Sequence, residues 1–529
     1  MAGRLGIDFG TSNTVLALWD GQQRQAVPLH MPEYGVLSLQ DDERISVIPS
    51  LVHYATDRRV WIGNQVLARD LANSPRTFRW MKRYISHRSP IKIQVDDRQI
   101  TPYIAGKDFL SSILVFAAEQ VNLRDEEVGL SVPVEAFEHY ENWLVSIAEA
   151  SGLPRLRLID EPSAAALGYG AHIQPGNVYL IFDFGGGTMH ASVILIEPED
   201  QHGSGRRCRV LGKAGRDIGG TVIDQWIFQD ILKKNNLMDG DSAVRNASTR
   251  LLLECQNIKE RLSLQETAAM EMGLENPAMS IRAEYTRASF EDLLEQNNLF
   301  TEINQIVRAA LNIALERGYR DQDIQAVLLV GGSSQIPSVQ RTFRQLFGKD
   351  KVLFHHPLDA VARGTAAFVA GIDFYDHIQH DYAIRFINAD KGQYDYKTIV
   401  QRGTAYPTQQ PVSRLTIKAS HQGQAQLGIA IFEIGERRQP SGPSVELVFD
   451  ANGAARITQV TPHDREQRSL FWMNEQHPTF LQAAPPAAQG EARFEVEFNI
   501  DYNKRLTLTA RDLLTGQLAL KDHPVVRLM

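Results

Sequence analysis

Two short stretches of one design govern what this chain can fold into. Residues 180–190, LIFDFGGGTMH, open with the apolar run Leu180, Ile181, Phe182 and pass through Asp183 and Phe184 into three glycines and Thr188. The run reads as a short buried strand that delivers an acid and a glycine turn. Gly185, Gly186 and Gly187 lack Cβ atoms, so backbone N–H groups can converge on one anion, while Thr188 offers a hydroxyl and Asp183 a carboxylate for a bound cation. Alone this is a common turn. The second stretch, LGIDFGTSN at 5–13, repeats it with an apolar strand, Asp8, Phe9, Gly10 and a small polar turn of Thr11, Ser12 and Asn13. Two strand–Asp–Phe–Gly–turn units about 175 residues apart predict a duplicated α/β domain whose halves present their turns to a shared cleft and hold a phosphate from both sides.

A chain of 529 residues exceeds one core, so two to four domains are expected. Its 55 Lys and Arg stand against 63 acids, a formal charge of −8, which gives no global electrostatic case for nucleic acid or an anionic membrane. Cys208 and Cys255 are the two cysteines, so no disulfide framework is implied and a reducing compartment is expected. The first strand begins at once and no apolar run has the length of a membrane span, so the expectation is a cytoplasmic protein without leader or anchor.

Along the chain, residues 14–19 are expected to return antiparallel to the first strand, and 128–133 to form a further strand between amphipathic helices at 107–122 and 134–151. Pro162 suits the first turn of a helix, which puts Glu161 at that helix's mouth. Residues 217–221, DIGGT, make a third glycine turn before a helix at 222–235, and helical patterning covers 241–264. The segment 326–330 reads as a buried strand ending in Gly331, Gly332 and Ser333, with the next helix starting near Pro337.

The Asp-Phe-Gly triplet of protein kinases is a competing reading, and it fails because no His-Arg-Asp loop accompanies it. The pair GIDFGTSN and FDFGGGT instead resembles the two phosphate hairpins of the sugar kinase, actin and heat-shock chaperone superfamily. IDEPSAAALGYG at 159–170 and VGGSSQIP at 330–337 are similar to the heat-shock protein 70 (DnaK-type) chaperones, in the family's order and spacing. The resemblance covers residues 1 to about 372 and implies an actin-like, ribonuclease H-like nucleotide-binding domain that takes ATP or ADP with Mg²⁺ and hydrolyses ATP slowly to ADP and phosphate. It implies Asp8 and Asp183 as the carboxylates toward magnesium. Gly10, Thr11, Ser12, Asn13, Gly185, Gly186, Gly187, Gly219 and Gly220 become phosphate donors. Lys259 and Ser263 fall toward ribose and adenine, and Gly331, Gly332 and Ser333 toward the adenosine side. Lys82, of the Lys82–Arg83 pair, would reach the terminal phosphate and the attacking water, which Glu161 and Thr188 would help to place, making Lys82, Glu161, Asp183 and Thr188 the catalytic set.

Several positions depart from the family. His190 stands where an acid helps hold the cation, Glu260 and Gln335 where arginines clasp adenine, and Gln256 and Leu358 in usually acidic places. Pro133 matches a relay proline, but Glu141 replaces the arginine eight residues on. Residues 373–382 would form a linker that is aromatic, acidic and histidine-bearing; His377 and His380 with Asp376 and Asp381 read as a solvated linker rather than a metal site. From 383 to 529 the pattern alternates, in RLTIKAS, QLGIAIFEIG, VELVFD and a hairpin about Tyr502 and Asn503. The last of these resembles the closing strands of the family's peptide-binding β-sandwich, without a helical lid. The expectation is a divergent chaperone that couples slow ATP hydrolysis to binding of unfolded or extended peptides and works with co-chaperones. The alternatives are a nucleotide-sensing scaffold with little hydrolysis, which His190 and Glu141 favour, and a small-molecule kinase, which would not need the sandwich.

Overall fold

The run at the centre of the second motif becomes a strand, Val178–Phe184, with every side chain buried, and the sheet built on it repeats the sheet built on the first motif. The computed structural model describes residues 4–528 apart from 41–42, 122–126, 134–137, 154, 171–173, 175, 198–206, 274–279, 317, 372–373, 376–377, 379, 389–392, 405, 435–444, 450–454, 460–469, 476–477 and 502–503. In the first sheet Leu5–Phe9 pairs antiparallel with Asn13–Asp20, which pairs with Gln25–Pro28; on its other side Leu5–Phe9 runs parallel to Glu127–Val132, and that strand parallel to Arg155–Asp160. In the second, Val178–Phe184 pairs antiparallel with Met189–Glu197, which pairs with Arg207–Arg216; on its other side it runs parallel to Ile324–Val330, and that strand parallel to Val352–Leu353. The order of strands is the same in both. Their parallel members are near-continuous apolar runs, as strands covered on both faces must be.

Two short helices cover these sheets, Glu161–Gly168 (EPSAAALG) and Ala360–Val369 (AVARGTAAFV). Their alanines and glycines let the backbones meet. A Cβ on Gly364 would lie 1.6 Å from the Ala164 carbonyl oxygen, and one on Gly168 1.8 Å from that of Ala360. Ala164, Ala165 and Ala166 pack with Ile181, Ile194 and Leu328 of the second sheet. Each fully buried isoleucine or leucine among them stabilises the fold by about 1.5–3 kcal/mol. The long helix expected at 107–122 begins earlier, at Pro102, because Thr101 caps it by accepting from the Ile104 N–H at 3.3 Å and proline occupies its first position.

The chain divides into two compact units: Met1–Val134, Trp143–Phe374 and Val445–Gln459 form the first, and Glu135–Asn142, Tyr375–Ser444 and Val460–Met529 the second. The VELVFD stretch thus pairs as Val445–Phe449 with Ala455–Gln459 and groups with the first unit. In the second unit, one sheet contains Gln393–Val400, Asp381–Asn388, Ile431–Ile434 and Leu470–Trp472, and another Ser413–Lys418, Ala492–Ile500, Arg505–Asp512 and Leu518–Arg527. Tyr382, Ile384 and Ile431 of one and Phe494, Val496 and Leu508 of the other share a core, which makes this unit a β-sandwich. The expected single strand QLGIAIFEIG is two: Gln424–Ile429 pairs with Thr479–Ala487, while Ile431–Ile434 pairs with Asp381–Asn388. The chain changes partner at Ala430, where the Asn474 side chain donates to the Ile429 carbonyl at 2.7 Å and accepts from the Ile431 N–H at 3.0 Å. The turn expected at Tyr502 and Asn503 lies outside the described residues. Among the described residues no helix is long and apolar enough to cross a membrane.

Candidate functional site

The turn at 10–13 is tied down by Ser50, the residue that follows the strand Glu43–Pro49. Ser50 Oγ donates to the Gly10 carbonyl at 2.8 Å, the Ser50 N–H donates to the Ser12 carbonyl at 2.8 Å, and the Thr14 and Ser50 hydroxyls lie 3.0 Å apart. The turn at 185–188 closes with the Gly185 N–H on the Thr188 carbonyl at 3.0 Å. The two turns face each other, since a Cβ on Gly187 would stand 2.6 Å from Thr11 Oγ1 and one on Gly186 2.7 Å from Ser12 Oγ. The third glycine turn braces the second: the Gly220 N–H donates to the Gly185 carbonyl at 2.9 Å and the Thr221 N–H to that of Gly186 at 2.8 Å. Ser333 Oγ adds a bond to the Gly185 carbonyl at 3.0 Å. Gly331 has φ 83°, and a Cβ there would stand 2.7 Å from Asp183 Oδ1, so only glycine lets this turn approach the acid. The glycine turns 10–13, 185–187, 219–220 and 331–333 therefore come together around the ends of the two central strands.

At those strand ends sit the charged groups. Asp160 caps the helix Glu161–Gly168, accepting from the Ser163 N–H at 2.9 Å, so Glu161 is its first residue and lies buried. Lys82, in the short helix Met81–Ser86, is also buried, and its Nζ pairs with Glu161 Oε1. Burial raises the Asp8 carboxyl above its usual range, against the opposing effects of Lys82 and of a hydrogen bond from Ser131 Oγ at 2.8 Å. Asp183 is pushed up further, by burial first and then by the negative charges of Glu161 and Asp8. Two carboxylates held unfavourably by burial and mutual repulsion, facing glycine N–H groups, are a donor set that a hard divalent cation relieves and phosphate oxygens complete. His190, across the hairpin from Asp183 and buried, adds no negative charge while neutral.

Further out, Lys259 Nζ lies 2.7 Å from Asp224 Oδ1 and donates to the Gly220 carbonyl at 2.9 Å. Burial raises Asp224 to about 6, with Lys259 opposing. Lys259 is thus brought to the third glycine turn, and Ser333 reaches the same place, since a Cβ on Gly220 would lie 2.7 Å from Ser333 Oγ. Ser263 lies one turn along the helix Ser242–Leu264 with its hydroxyl donated back to the Lys259 carbonyl at 3.1 Å. On that helix Gln256 donates to Glu260 at 2.8 Å, and Leu358 faces Gly332 across 3.7 Å of would-be Cβ contact.

Sequence reasoning missed several supports. Ser131, Ser50 and the Asp160 cap are among them; only the last carried a local signal, an Asp three residues before Ser163 ahead of proline. Arg83 Nη1 donates to Thr221 Oγ1 at 2.7 Å, and the neighbouring His87 Nε2 lies 3.4 Å from Asp217 Oδ2, so the helix bearing Lys82 is fastened to the third glycine turn. Of the linker groups considered for a metal, His377 and Asp376 lie outside the described residues, and His380 is buried 3.7 Å from Glu433. Glu43, His356 and Asp359 do converge, but Arg363 pairs with both carboxylates and accounts for them as an ion-pair network. Cys255 is buried and its thiol is raised well above the usual range by that burial, which makes it unreactive.

Residues 4–441 match the family model described as Hsp70 protein. Over 558 aligned positions, 98% of this chain and 78% of the other, the sequence is 25% identical to the chaperone protein DnaK of Deinococcus proteolyticus.

Proposed function

The chain belongs to the Hsp70 family, with its chaperone-type ATP-binding function, and we propose that it hydrolyses ATP slowly with Mg²⁺ and couples this to binding of unfolded or extended peptide segments by its β-sandwich. In this reading residues 1–372 are a duplicated actin-like nucleotide domain, 373–382 a linker and 383–529 the peptide-binding part. The observation that carries it is the convergence of Asp8, Lys82, Glu161 and Asp183, largely buried, where two phosphate turns face each other.

The chemistry asks little covalent work of the protein. The N–H groups and hydroxyls of 10–13 and 185–188 bind the β- and γ-phosphates of ATP, and the turn at 219–220 closes beside them. Asp8 and Asp183 would hold magnesium, which when bound neutralises phosphate charge and so lowers the barrier to transfer. Lys82 lies over the terminal phosphate and holds Glu161 by its charge. Glu161 accepts a hydrogen bond from the attacking water, and Thr188 fixes that water from the other side. Lys259 and Ser263, with 331–333, flank the nucleoside. Because His190 supplies no carboxylate, the cation is held by less negative charge, and turnover is slow.

The test is single-turnover hydrolysis of ATP with Mg²⁺, beside an Asp183→Asn control, with and without an unfolded peptide. Hydrolysis that the substitution abolishes and the peptide accelerates supports the reading. Tight ATP binding with no turnover and no response to peptide rejects it and leaves a nucleotide-sensing scaffold.

A further inference from the structure

We propose that Lys213 is a positioning residue for the hydrolytic centre, acting through Asp160 to fix where Glu161 stands. The inference rests on the ATPase reading above. Lys213 and Asp160 form a buried ion pair, Nζ to Oδ2 at 2.9 Å, with side chains 4% and 7% exposed. The partners come from different sheets: Asp160 ends Arg155–Asp160 of the first, and Lys213 lies in Arg207–Arg216 of the second.

Register shows why the pair falls there. Across the second sheet Asp183 stands opposite His190 and His190 opposite Gly215; two residues back along each strand, Ile181 stands opposite Ser192 and Ser192 opposite Lys213. Side chains two apart on a strand share a face, so Lys213 projects from the face that presents Asp183. The helix Glu161–Gly168 packs on that same face through its contact with Ile181. Lys213 therefore meets the start of this helix, one row behind the carboxylate expected to face magnesium.

Asp160 divides its two oxygens between two tasks. Oδ1 accepts from the Ser163 N–H at 2.9 Å and from Ser163 Oγ at 2.5 Å, capping the helix, while Oδ2 takes the ammonium of Lys213. Glu161 is the next residue, and its own side chain is held from the first lobe by Lys82. Two ion pairs, one from the helix Met81–Ser86 and one from the strand Arg207–Arg216, thus grip consecutive residues, and the position of Glu161 depends on both. Removing Lys213 takes the ammonium away from the buried Oδ2 of Asp160, so that carboxylate reorients and Glu161 moves with it. A displacement near 1 Å costs up to about a hundredfold in a reaction that depends on a placed water.

The experiment compares the full chain with Lys213→Met, Lys213→Arg, Asp160→Asn and the double variant Lys213→Met/Asp160→Asn, in multiple- and single-turnover hydrolysis of MgATP and in ATP binding. Lys213→Met is expected to lower kcat about tenfold or more with KM within about twofold, and Lys213→Arg to recover part of the loss. The double variant keeps a neutral cap and removes both charges of the Lys213–Asp160 pair, and is expected to hydrolyse faster than Lys213→Met. Equal kcat in Lys213→Met and the unaltered chain, a double variant no faster than the single, or parallel losses of kcat and ATP binding overturn the inference alone. Absence of hydrolysis in the unaltered chain that still binds ATP overturns the ATPase reading, and the inference with it.

Discussion

Replacing Arg79 by methionine should make the first unit more stable. Arg79 lies just before the helix that carries Lys82, with 3% of its surface exposed, and among the described residues none of its three guanidinium nitrogens has a hydrogen-bond partner. The Trp80 ring centroid, 5.5 Å from its Cζ, is a weak substitute for water. Burial pulls the guanidinium well below its ordinary value, to about 10. At about 1.4 kcal/mol per tenfold change in proton affinity, that depression corresponds to a charge held at a cost of about 3 kcal/mol. The sign follows from linkage. The unfolded chain binds this proton more tightly, so the cost is present in full below about pH 10 and is relieved only as the pH rises above that. Methionine has a similar length, no charge and favourable burial, so Arg79→Met is expected to gain about 2–3 kcal/mol near pH 7. With a urea dependence of about 3 kcal/mol per molar, the unfolding midpoint rises by nearly 1 M, and the difference is constant from pH 6 to 9. Tryptophan fluorescence during urea unfolding reads it. A midpoint that falls in Arg79→Met would refute the reasoning, because it would mean that the guanidinium is satisfied rather than stranded.

Other expected outcomes concern the same unit. Burial disfavours charge on His87, but Asp217 more than offsets it and raises its pKa above 6.5; the pair therefore stabilises the fold fully below pH 6.5 and ceases to as pH climbs through the raised value, by about 0.5–1 kcal/mol for so exposed a pair. Urea midpoints of the unaltered chain and His87→Gln from pH 5.5 to 8.5 should converge toward alkaline pH, and parallel curves would contradict this. His190→Asp places a third carboxylate beside Asp183 and is expected to tighten Mg²⁺-dependent ATP binding about tenfold in calorimetry, with an unchanged magnesium midpoint as the contrary result. Gly364→Ala drives a Cβ into the Ala164 carbonyl and should cost about 3 kcal/mol or prevent folding, whereas Gly240→Ala, with open space around it, should leave the thermal midpoint nearly unchanged; similar effects of the two would deny the close helix contact.

The parts of the first unit legible in the sequence were those whose determinants are local. LIFDF and LGIDF announce strands because apolar residues are consecutive, and the turns after them announce themselves because three glycines, or Gly-Thr-Ser-Asn, suit little else. Glu161 was legible through Pro162. What stayed hidden depended on residues far apart in sequence meeting at one place. Lys82 and Glu161 are a lysine and an acid 79 positions apart, and Lys213 is one basic residue in a strand with three arginines; nothing local separates either lysine from a solvated one. Arg79 hides for the same reason, since Thr-Phe-Arg-Trp gives no sign that its arginine points inward.

The second unit shows the limit of periodicity itself. QLGIAIFEIG is one β-prone run with no turn signal at Ala430, so pattern alone gives one strand, and the break at Ala430 depends on Asn474, whose amide supplies the hydrogen bonds that neither neighbouring strand provides at that point. The same principle governs the site. A side chain that satisfies a backbone or a charge from a distance leaves no periodic trace, yet it decides where a reactive group stands. Asn474 does this for two strands, Ser50 for the turn at 10–13 and Asp160 for the helix start at Glu161. The local motifs therefore specify which groups approach the cleft, and these distant polar contacts, specified jointly by sheet order and register, set the positions at which the groups arrive.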